Sequence, residues 1–134
     1  MRYLLDTNIV IYYLRGNKEV VNFVDKILTQ GLAVSTITLA ELFHGANKSQ
    51  NAKRNISLIN QFIDTPQITV LQTDEIIAAS YGKLMAKLEQ KGIKLAGLDT
   101  LIAATAISNN LIILTADKKH FPRLSKFGLK IQLV

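Results

Sequence analysis

The sequence has no cysteine and no tryptophan, and its 10 acidic residues are outnumbered by 16 lysines and arginines. The lack of cysteine excludes disulfides, thiolate nucleophiles and cysteine-ligated zinc or iron–sulfur sites. No apolar run approaches the ~20 residues of a membrane span, and the apolar segment at the N-terminus is interrupted by Asp6, Thr7 and Asn8. We therefore expect neither a signal peptide nor a membrane span, and we expect a reducing, cytoplasmic setting.

What the chain does contain is typical of a small globular protein. Of its 134 residues, 49% are hydrophobic and 19% are charged, which predicts one folded domain over residues 1–134. The formal net charge of +6 favours a polyanionic partner such as a nucleic acid, because lysine and arginine neutralise phosphates. A lysine-rich surface that serves only solubility explains the same charge equally well.

Short β-type runs alternate along the chain with longer helical patterns. The predicted strands are Arg2–Leu5, Leu32–Ser35, Ile68–Leu71, Leu111–Thr115 and Leu129–Leu133. The predicted helices are Ile9–Leu14, Glu19–Thr29, Leu39–Ala46, Ala52–Ile63, Asp74–Gln90 and Thr100–Asn109, the fifth of them with Thr73 as N-cap. Both prolines, Pro66 and Pro122, fall in predicted connections. This alternation predicts an α/β domain with a parallel sheet covered by helices on both faces.

Four of the acidic residues stand in apolar surroundings that helix polarity does not explain. Asp6 ends the first predicted strand, and Asp117 lies two residues after the fourth. Glu41 is surrounded by apolar residues shortly after the second strand, and Asp99 opens the last predicted helix. Ligands of open parallel sheets collect at the carboxyl ends of the strands. We therefore expect these four carboxylates to converge there.

Helix capping is the simpler alternative for three of these acids. Asp6, Asp99 and Asp117 are each suited to an N-cap, a role worth ~1 kcal/mol, whereas Glu41 has no such explanation. Two carboxylates ~6 Å apart repel by roughly 3 kcal/mol at an effective dielectric constant of ~20. Four ionised acids in one pocket therefore require protons or a cation, and an all-oxygen site favours Mg²⁺ or Mn²⁺.

Four motifs in this order resemble a known family. They are YLLDTNI, STITLAELFHGANKS, DTLIAATA and LIILTADKKHF, and with them essentially the whole chain resembles a PIN-domain ribonuclease of the VapC toxin type, from bacterial VapBC toxin–antitoxin pairs. The resemblance implies a five-stranded parallel sheet in the order 3-2-1-4-5. It also implies that Asp6, Glu41, Asp99 and Asp117 bind Mg²⁺ or Mn²⁺ and are the catalytic residues, with Glu41 either a ligand or the base.

The resemblance assigns supporting roles to two further residues. Thr115 precedes the last acid by two positions and is expected to order the site, and Asn8 is expected to brace Asp6. One position departs from the family pattern, because many members carry Asn where this chain has Leu98. Hydrogen bonding around Asp99 is therefore expected to differ, while the acid itself is retained.

The activity implied is cleavage of RNA by a toxin that inhibits translation and growth. The segment GANKSQNAKRN resembles a subgroup that cleaves initiator tRNA, so tRNA is the expected substrate. A cognate VapB-like antitoxin would block the acidic pocket, and Tyr12, Tyr13 and Phe23 are suggested contacts, although core packing explains them as well. A homodimer is also implied.

Basic residues near the motifs are the expected RNA contacts. They are Lys48, Lys53, Arg54, Lys91, Lys94, Lys118, Lys119 and His120. Ordinary solvated side chains are the alternative for each of them. His44, one turn after Glu41, fits a packing or surface role better than a role at the site.

Three other functions fit parts of the pattern. A Mg²⁺-binding receiver domain for signalling needs adjacent acids after the first strand and an aspartate after the third, and a haloacid-dehalogenase-type phosphatase needs Asp-x-Asp, where this chain has Asn8 as the second residue. A basic RNA-binding module without catalysis remains if the acids prove to be scattered.

Overall fold

Strands and helices alternate along the whole chain. The computed structural model describes residues 1–134. The strands are β1 (Tyr3–Leu5), β2 (Leu32–Ser35), β3 (Ile68–Leu71), β4 (Ile112–Thr115) and β5 (Lys130–Leu133). The α-helices are α1 (Thr7–Leu14), α2 (Lys18–Ile27), α3 (Thr36–Lys48), α4 (Ala52–Ile63), α5 (Glu75–Gln90) and α6 (Gly97–Ser108). Two 3₁₀ segments, Leu28–Gln30 and Phe121–Phe127, complete the fold.

The five strands form one parallel sheet in the order β3-β2-β1-β4-β5, which confirms the predicted order. The central strand β1 pairs with both β2 and β4, and Leu5 lies opposite Leu114. The carboxyl ends of β1, β2 and β4 therefore meet at one edge. Receiver domains have the order 2-1-3-4-5, so the topology excludes that alternative.

Alternate strand residues supply the two sides of the core. Leu5 and Leu114 pack with residues of α1, α2, α3 and α4 on one face of the sheet. Leu4 and Ile113 pack with residues of α5 and α6 on the other face. All four of these leucine and isoleucine side chains are completely buried. Burial on both faces explains why the central strands are apolar without alternation.

Two strands pass into helices without an intervening loop. Asp6 alone separates β1 from α1, and α3 begins at the residue after β2. The Ser35 hydroxyl, at the end of β2, caps α3 by accepting a hydrogen bond from the amide of Thr38 at 3.1 Å. Residues in the first turns of both helices are thereby held at the carboxyl edge of the sheet.

Two details of the predicted helix starts are wrong. Asp74, and not Thr73, caps α5, because its carboxylate accepts the amide of Ile77 at 2.9 Å. The last α-helix begins at Gly97, so Asp99 lies in its first turn and is not its cap. Pro122 lies in the connection between β4 and β5, as predicted, at the start of the second 3₁₀ segment, where its missing amide hydrogen costs no hydrogen bond.

None of the helices has both the length and the apolar character that crossing a membrane requires.

Candidate active site

The four acids lie together at the carboxyl edge of the sheet. Asp6 follows β1, Asp117 follows β4, Glu41 lies in the second turn of α3, and Asp99 lies in the first turn of α6. Their charges affect one another: those of Asp99 and Asp117 help to raise the pKa of Asp6, and those of Glu41 and Asp117 help to raise the pKa of Asp99. The expected convergence of carboxylates is therefore present.

Asp6 is a helix cap and a member of this cluster at once. Its side chain is 4% exposed, its Oδ1 accepts the amide of Ile9 at 2.9 Å, and its Oδ2 accepts the Thr115 hydroxyl at 2.5 Å. Burial is the main cause that raises the pKa of Asp6 to about 6, against the lowering effect of these two hydrogen bonds. In the absence of a cation, about half of the protein molecules would thus carry a protonated Asp6 near pH 6.

Thr115 connects the two strands that carry aspartates. Its Oγ1 donates to Asp6 and also accepts the backbone amide of Asp117 at 2.9 Å. The predicted ordering role of Thr115 thus has a geometric basis, because one hydroxyl fixes a carboxylate oxygen of Asp6 and the backbone at Asp117.

Asp117 lies in a more polar environment than Asp6. Its Oδ1 accepts the amides of Lys119 and His120 at 2.8 and 2.9 Å, and its Oδ2 lies 3.0 Å from Nδ1 of His120. Partial burial pushes the pKa of Asp117 upward, but the hydrogen bonds from His120 and Lys119 outweigh it and hold the pKa below its usual value. Asp117 is therefore ionised where Asp6 is still partly protonated. Its carboxylate caps this turn and does not cap a helix.

Glu41 is oriented by two hydroxyls that the sequence analysis did not single out. The Thr7 Oγ1 donates to Oε1 of Glu41 at 2.6 Å, and the Thr38 Oγ1 lies 3.2 Å from the Thr7 Oγ1. A carboxylate only accepts, so the hydrogen between the two threonines comes from Thr38. The signal was present in the chain, because Thr7 directly follows Asp6 and Thr38 precedes Glu41 by three residues, on the same face of a helix.

Asp99 is half-buried at the mouth of a cavity. Burial raises its pKa, and the charges of Glu41 and Asp117 raise it further, while His120 lowers it. Asp99 and Asp6 thus carry carboxylates whose ionised forms are disfavoured by their surroundings. Such groups are commonly found at functional sites.

A divalent cation fits this donor set, although the acids do not form a complete cage. No three histidine or acidic side chains are arranged around one point, and each of Asp6, Glu41 and Asp117 is hydrogen-bonded to a neighbour. Mg²⁺ usually keeps several waters and binds through one or two carboxylates, so a closed cage is not required. The carboxylate oxygens are the hard ligands that Mg²⁺ prefers.

No lysine or arginine neutralises the cluster. The ion pair between His120 and Asp117 is the only one within 4.0 Å anywhere in the molecule. Four acids that share one edge without a lysine or arginine partner present negative charge that the protein leaves largely uncompensated. A bound cation is the simplest way to relieve it.

The expected brace from Asn8 is not formed. The Asp6 carboxylate accepts hydrogen bonds from the Ile9 amide and the Thr115 hydroxyl and none from Asn8, whose side chain is exposed. Asn8 lies two residues after the cap, and about 100° of helix rotation per residue carries its side chain away from Asp6. It lines a shallow pocket with Glu41 and His44, and His44 is exposed, as expected.

The predicted RNA contacts fall into two groups. Lys48 lines the shallow pocket beside Glu41, Lys94 lines the cavity beside Asp99, and Lys118 and Lys119 directly follow Asp117. Lys53 and Arg54 are exposed in the first turn of α4 and line neither of these pockets. The first group surrounds the acids, whereas the second lies on a separate helix.

Comparison with known proteins identifies the family. A family model described as "PIN domain" matches residues 3–126, and Ribonuclease VapC2 of Haemophilus influenzae is 35% identical over 125 residues, 92% of each chain. The chain is a PIN-domain protein of the VapC family. The tRNA(fMet)-specific endonuclease VapC of Shigella flexneri is 33% identical over 132 residues, 98% of this chain and 97% of that one.

The fold of this VapC-family chain is shared with solved relatives. It superimposes on VapBC2 from Rickettsia felis, solved bound to a DNA fragment from its promoter, with a TM-score of 0.91 at 30% identity, over 100% of this chain and 99% of that chain. The four motifs of the sequence therefore identify the family correctly, and the parallel sheet that they imply is the sheet observed.

Proposed function

We propose that this VapC-family chain is a Mg²⁺-dependent endoribonuclease that cleaves tRNA, with initiator tRNA as its preferred substrate. The observation that carries the proposal is the gathering of Asp6, Glu41, Asp99 and Asp117 at one edge of the sheet without a lysine or arginine partner. Mn²⁺ has the same ligand preferences and would substitute for Mg²⁺.

The environment of each residue indicates its role in the proposed reaction. A Mg²⁺ ion bound here would orient the scissile phosphate, neutralise its charge and lower the pKa of the attacking water. Asp6, Asp99 and Asp117 would hold the ion, with Asp6 the central ligand because it is the most buried of them. Thr115 fixes Asp6 and the backbone at Asp117 in their relative positions.

Glu41 has two roles open to it. Its Oε1 is held by the Thr7 hydroxyl, and its Oε2 is left to bind the ion or to accept the proton of the attacking water. Either role requires a fixed carboxylate orientation, which Thr7 and Thr38 supply.

The tRNA part of the proposal rests on relatives and on charge. The Shigella flexneri relative is named a tRNA(fMet)-specific endonuclease, and the present chain carries 16 lysines and arginines, none of them in an ion pair within 4.0 Å. Unpaired cations at the rim, such as Lys48, Lys94 and Lys118, would offset the repulsion between the acids and an RNA backbone.

We also propose that an antitoxin neutralises this protein. The structural relatives from Rickettsia felis and Salmonella typhimurium are VapBC complexes bound to DNA. Of the suggested contacts, Tyr13 packs on Phe62 and Phe23 is partly buried against the same core, whereas Tyr12 is 36% exposed. Tyr12 is therefore the member of the set most available to a partner. Homodimer formation stays a prediction.

Cleavage of a tRNA pool tests the proposal. Purified protein should cut tRNA in Mg²⁺ and lose that activity in EDTA or with Asp99→Asn. The matched control is Asp74→Asn, the same chemical change at an exposed helix cap, which should cut normally. Cleavage that survives EDTA or Asp99→Asn would contradict the metal-dependent mechanism, and cleavage confined to other RNAs would contradict the tRNA assignment.

A further inference from the structure

A cavity of about 740 Å³ opens directly beside Asp99. It lies between the end of α5, the connection from α5 to α6, and the turn that follows Asp117. Its lining is mixed: Met85, Ile93 and Leu95 are apolar, and Asp99 and His120 are polar. The volume lies within the range of about 300–1,000 Å³ that is typical of small-molecule sites.

Arg123 holds the two walls of this cavity together. Its Nη2 donates to the carbonyl of Lys94 at 2.9 Å, and its Nε donates to the carbonyl of His120 at 3.3 Å. Both Lys94 and His120 line the cavity, on opposite connections. Arg123 forms no ion pair with a carboxylate, so its contacts within the protein serve to set the spacing of these two connections.

We propose that the cavity binds the base of a nucleotide adjacent to the scissile phosphate, an inference that rests on the proposed ribonuclease function. The cavity shares Asp99 with the acidic cluster, so an RNA strand crossing that cluster passes its mouth. Single-stranded RNA is recognised through bases that leave the strand and contact aromatic and apolar side chains.

The lining offers each type of contact that a base requires. The His120 ring, half exposed and held at Nδ1 by Asp117, presents a face for stacking. Met85 and Leu95 supply apolar surface, Glu89 supplies an acceptor for a base edge, and Lys94, which also lines the cavity, supplies a cation for the adjoining phosphate. The cavity would therefore select a nucleotide by its base, while the acids act on the backbone.

Partial filling of the cavity tests the proposal. Ala96 lines it and is exposed at the start of α6, so Ala96→Phe adds a ring without disturbing the core. Ala86→Phe is the matched control, because Ala86 is exposed on α5 and does not line the cavity. Met85→Trp narrows the cavity from α5 and serves as an independent second variant.

The substrates are short RNAs around a cleaved bond, intact or lacking a single base at one of the three positions on either side. For the wild-type protein, one abasic position should lower kcat/KM and raise the Kd measured by fluorescence anisotropy, each by at least tenfold. Ala96→Phe should show the same loss on intact RNA and no further loss on that abasic RNA. Ala86→Phe should match the wild-type protein.

Two results would overturn the proposal. One is equal binding of intact and abasic RNAs by the wild-type protein, and the other is full activity and affinity of both Ala96→Phe and Met85→Trp on intact RNA. The anisotropy measurement also separates this inference from the proposed function. Absence of cleavage by the wild-type protein would contradict the ribonuclease proposal. The effect of base removal on Kd, compared between the wild-type protein and Ala96→Phe, decides whether the cavity binds a base.

Discussion

At the scale of single residues, Asp6 shows how one carboxylate serves structure and chemistry together. Its Oδ1 caps α1 and its Oδ2 accepts the Thr115 hydroxyl, yet burial raises its pKa to about 6. At neutral pH the folded protein therefore holds an ionised carboxylate at a buried position, where loss of hydration disfavours the charge. Asparagine is an equally good N-cap, so capping of α1 does not by itself require an aspartate at this position.

The first prediction is that Asp6→Asn stabilises the metal-free protein near neutral pH. Because the folded-state pKa of about 6 lies above the ordinary 3.8, the contribution of Asp6 is fully favourable below pH ~4 and is lost as the pH rises through 6. The free energy of unfolding at pH 7.5 should rise by as much as about 3 kcal/mol. Urea unfolding between pH 4 and pH 8 measures the difference, which should shrink toward pH 4.

Asp74→Asn is the control for this pH series. Asp74 caps α5 through the same type of hydrogen bond but is exposed, so this variant should follow the wild-type pH dependence. An Asp6→Asn protein that is less stable than the wild type at pH 7.5 in EDTA would show that the carboxylate contributes favourably when ionised, against the effect of its burial.

The second prediction concerns Thr7, which orients Glu41. Thr7→Val keeps the shape of the side chain but removes the hydroxyl that donates to Glu41 at 2.6 Å. A hydrogen bond to a charged group is worth about 1.5–3 kcal/mol, so kcat should fall roughly 10- to 100-fold with little change in KM. Thr7→Ser retains the donor and should restore most of the activity. Equal kcat for the valine and serine variants would mean that Thr7 does not position Glu41.

At the scale of elements, the site depends on where strands and helices begin and end. Asp6 and Ser35 each end a strand and cap the next helix, which places Thr7 and Glu41 at the carboxyl edge. At the amino-terminal ends of the strands, α6 ends at Ser108 with Asn109 as its C-cap, and Asn110 takes a positive φ of 52°. This left-handed residue turns the chain into β4, the strand that carries Thr115.

The third prediction tests that turn. Asn110→Ala should lower the free energy of unfolding by about 1–2 kcal/mol, because alanine adopts the left-handed region at that cost, whereas Asn110→Gly should change stability little. Both variants lose the hydrogen bond from Lys130 to the Asn110 side chain, so the difference between them isolates the backbone effect. Urea unfolding provides the measurement. Equal stability of the two variants would contradict the left-handed backbone conformation of residue 110.

At the scale of the whole molecule, charge is distributed between a negative pocket and a positive surface. Three rim lysines, Lys48, Lys94 and Lys118, lie near the acids. Lys130 begins β5 opposite Ile112, the first residue of β4. It therefore lies at the amino-terminal ends of the strands, away from the acids. An RNA strand that spans the acidic pocket should contact the first three lysines and not Lys130.

The fourth prediction follows from this distribution. Replacing Lys48, Lys94 or Lys118 with methionine should reduce the magnitude of the slope of log K against log salt by about 0.7 for single-stranded RNA, since each removes one phosphate contact. Lys130→Met should leave the slope unchanged. Fluorescence anisotropy over a range of salt concentrations gives the slopes. A similar reduction for all four variants would mean that RNA binding is not centred on the acidic pocket.

The fold class, the approximate strand positions and the four acids of the cluster follow from the amino-acid sequence alone. The first and fourth predicted strands are near-continuous apolar runs because the central strands β1 and β4 are buried on both faces of the sheet. Glu41 stood out because a lone acid among apolar residues needs a partner. The four motifs in their order indicated the family and, through it, the strand order.

The side chains that contact the acids could not be predicted from the sequence, because those contacts depend on the tertiary structure. Thr7 contacts Glu41, whereas Asn8 does not contact Asp6. Both lie within two residues of Asp6 in the chain, but helix rotation sends adjacent side chains in different directions. The contact from Thr115 to Asp6 spans 109 positions and depends on β1 and β4 pairing side by side. The cavity beside Asp99 likewise arises from two connections that are distant in sequence and are held together by Arg123. Local pattern fixes periodicity and burial, whereas these contacts depend on how the strands and helices pack.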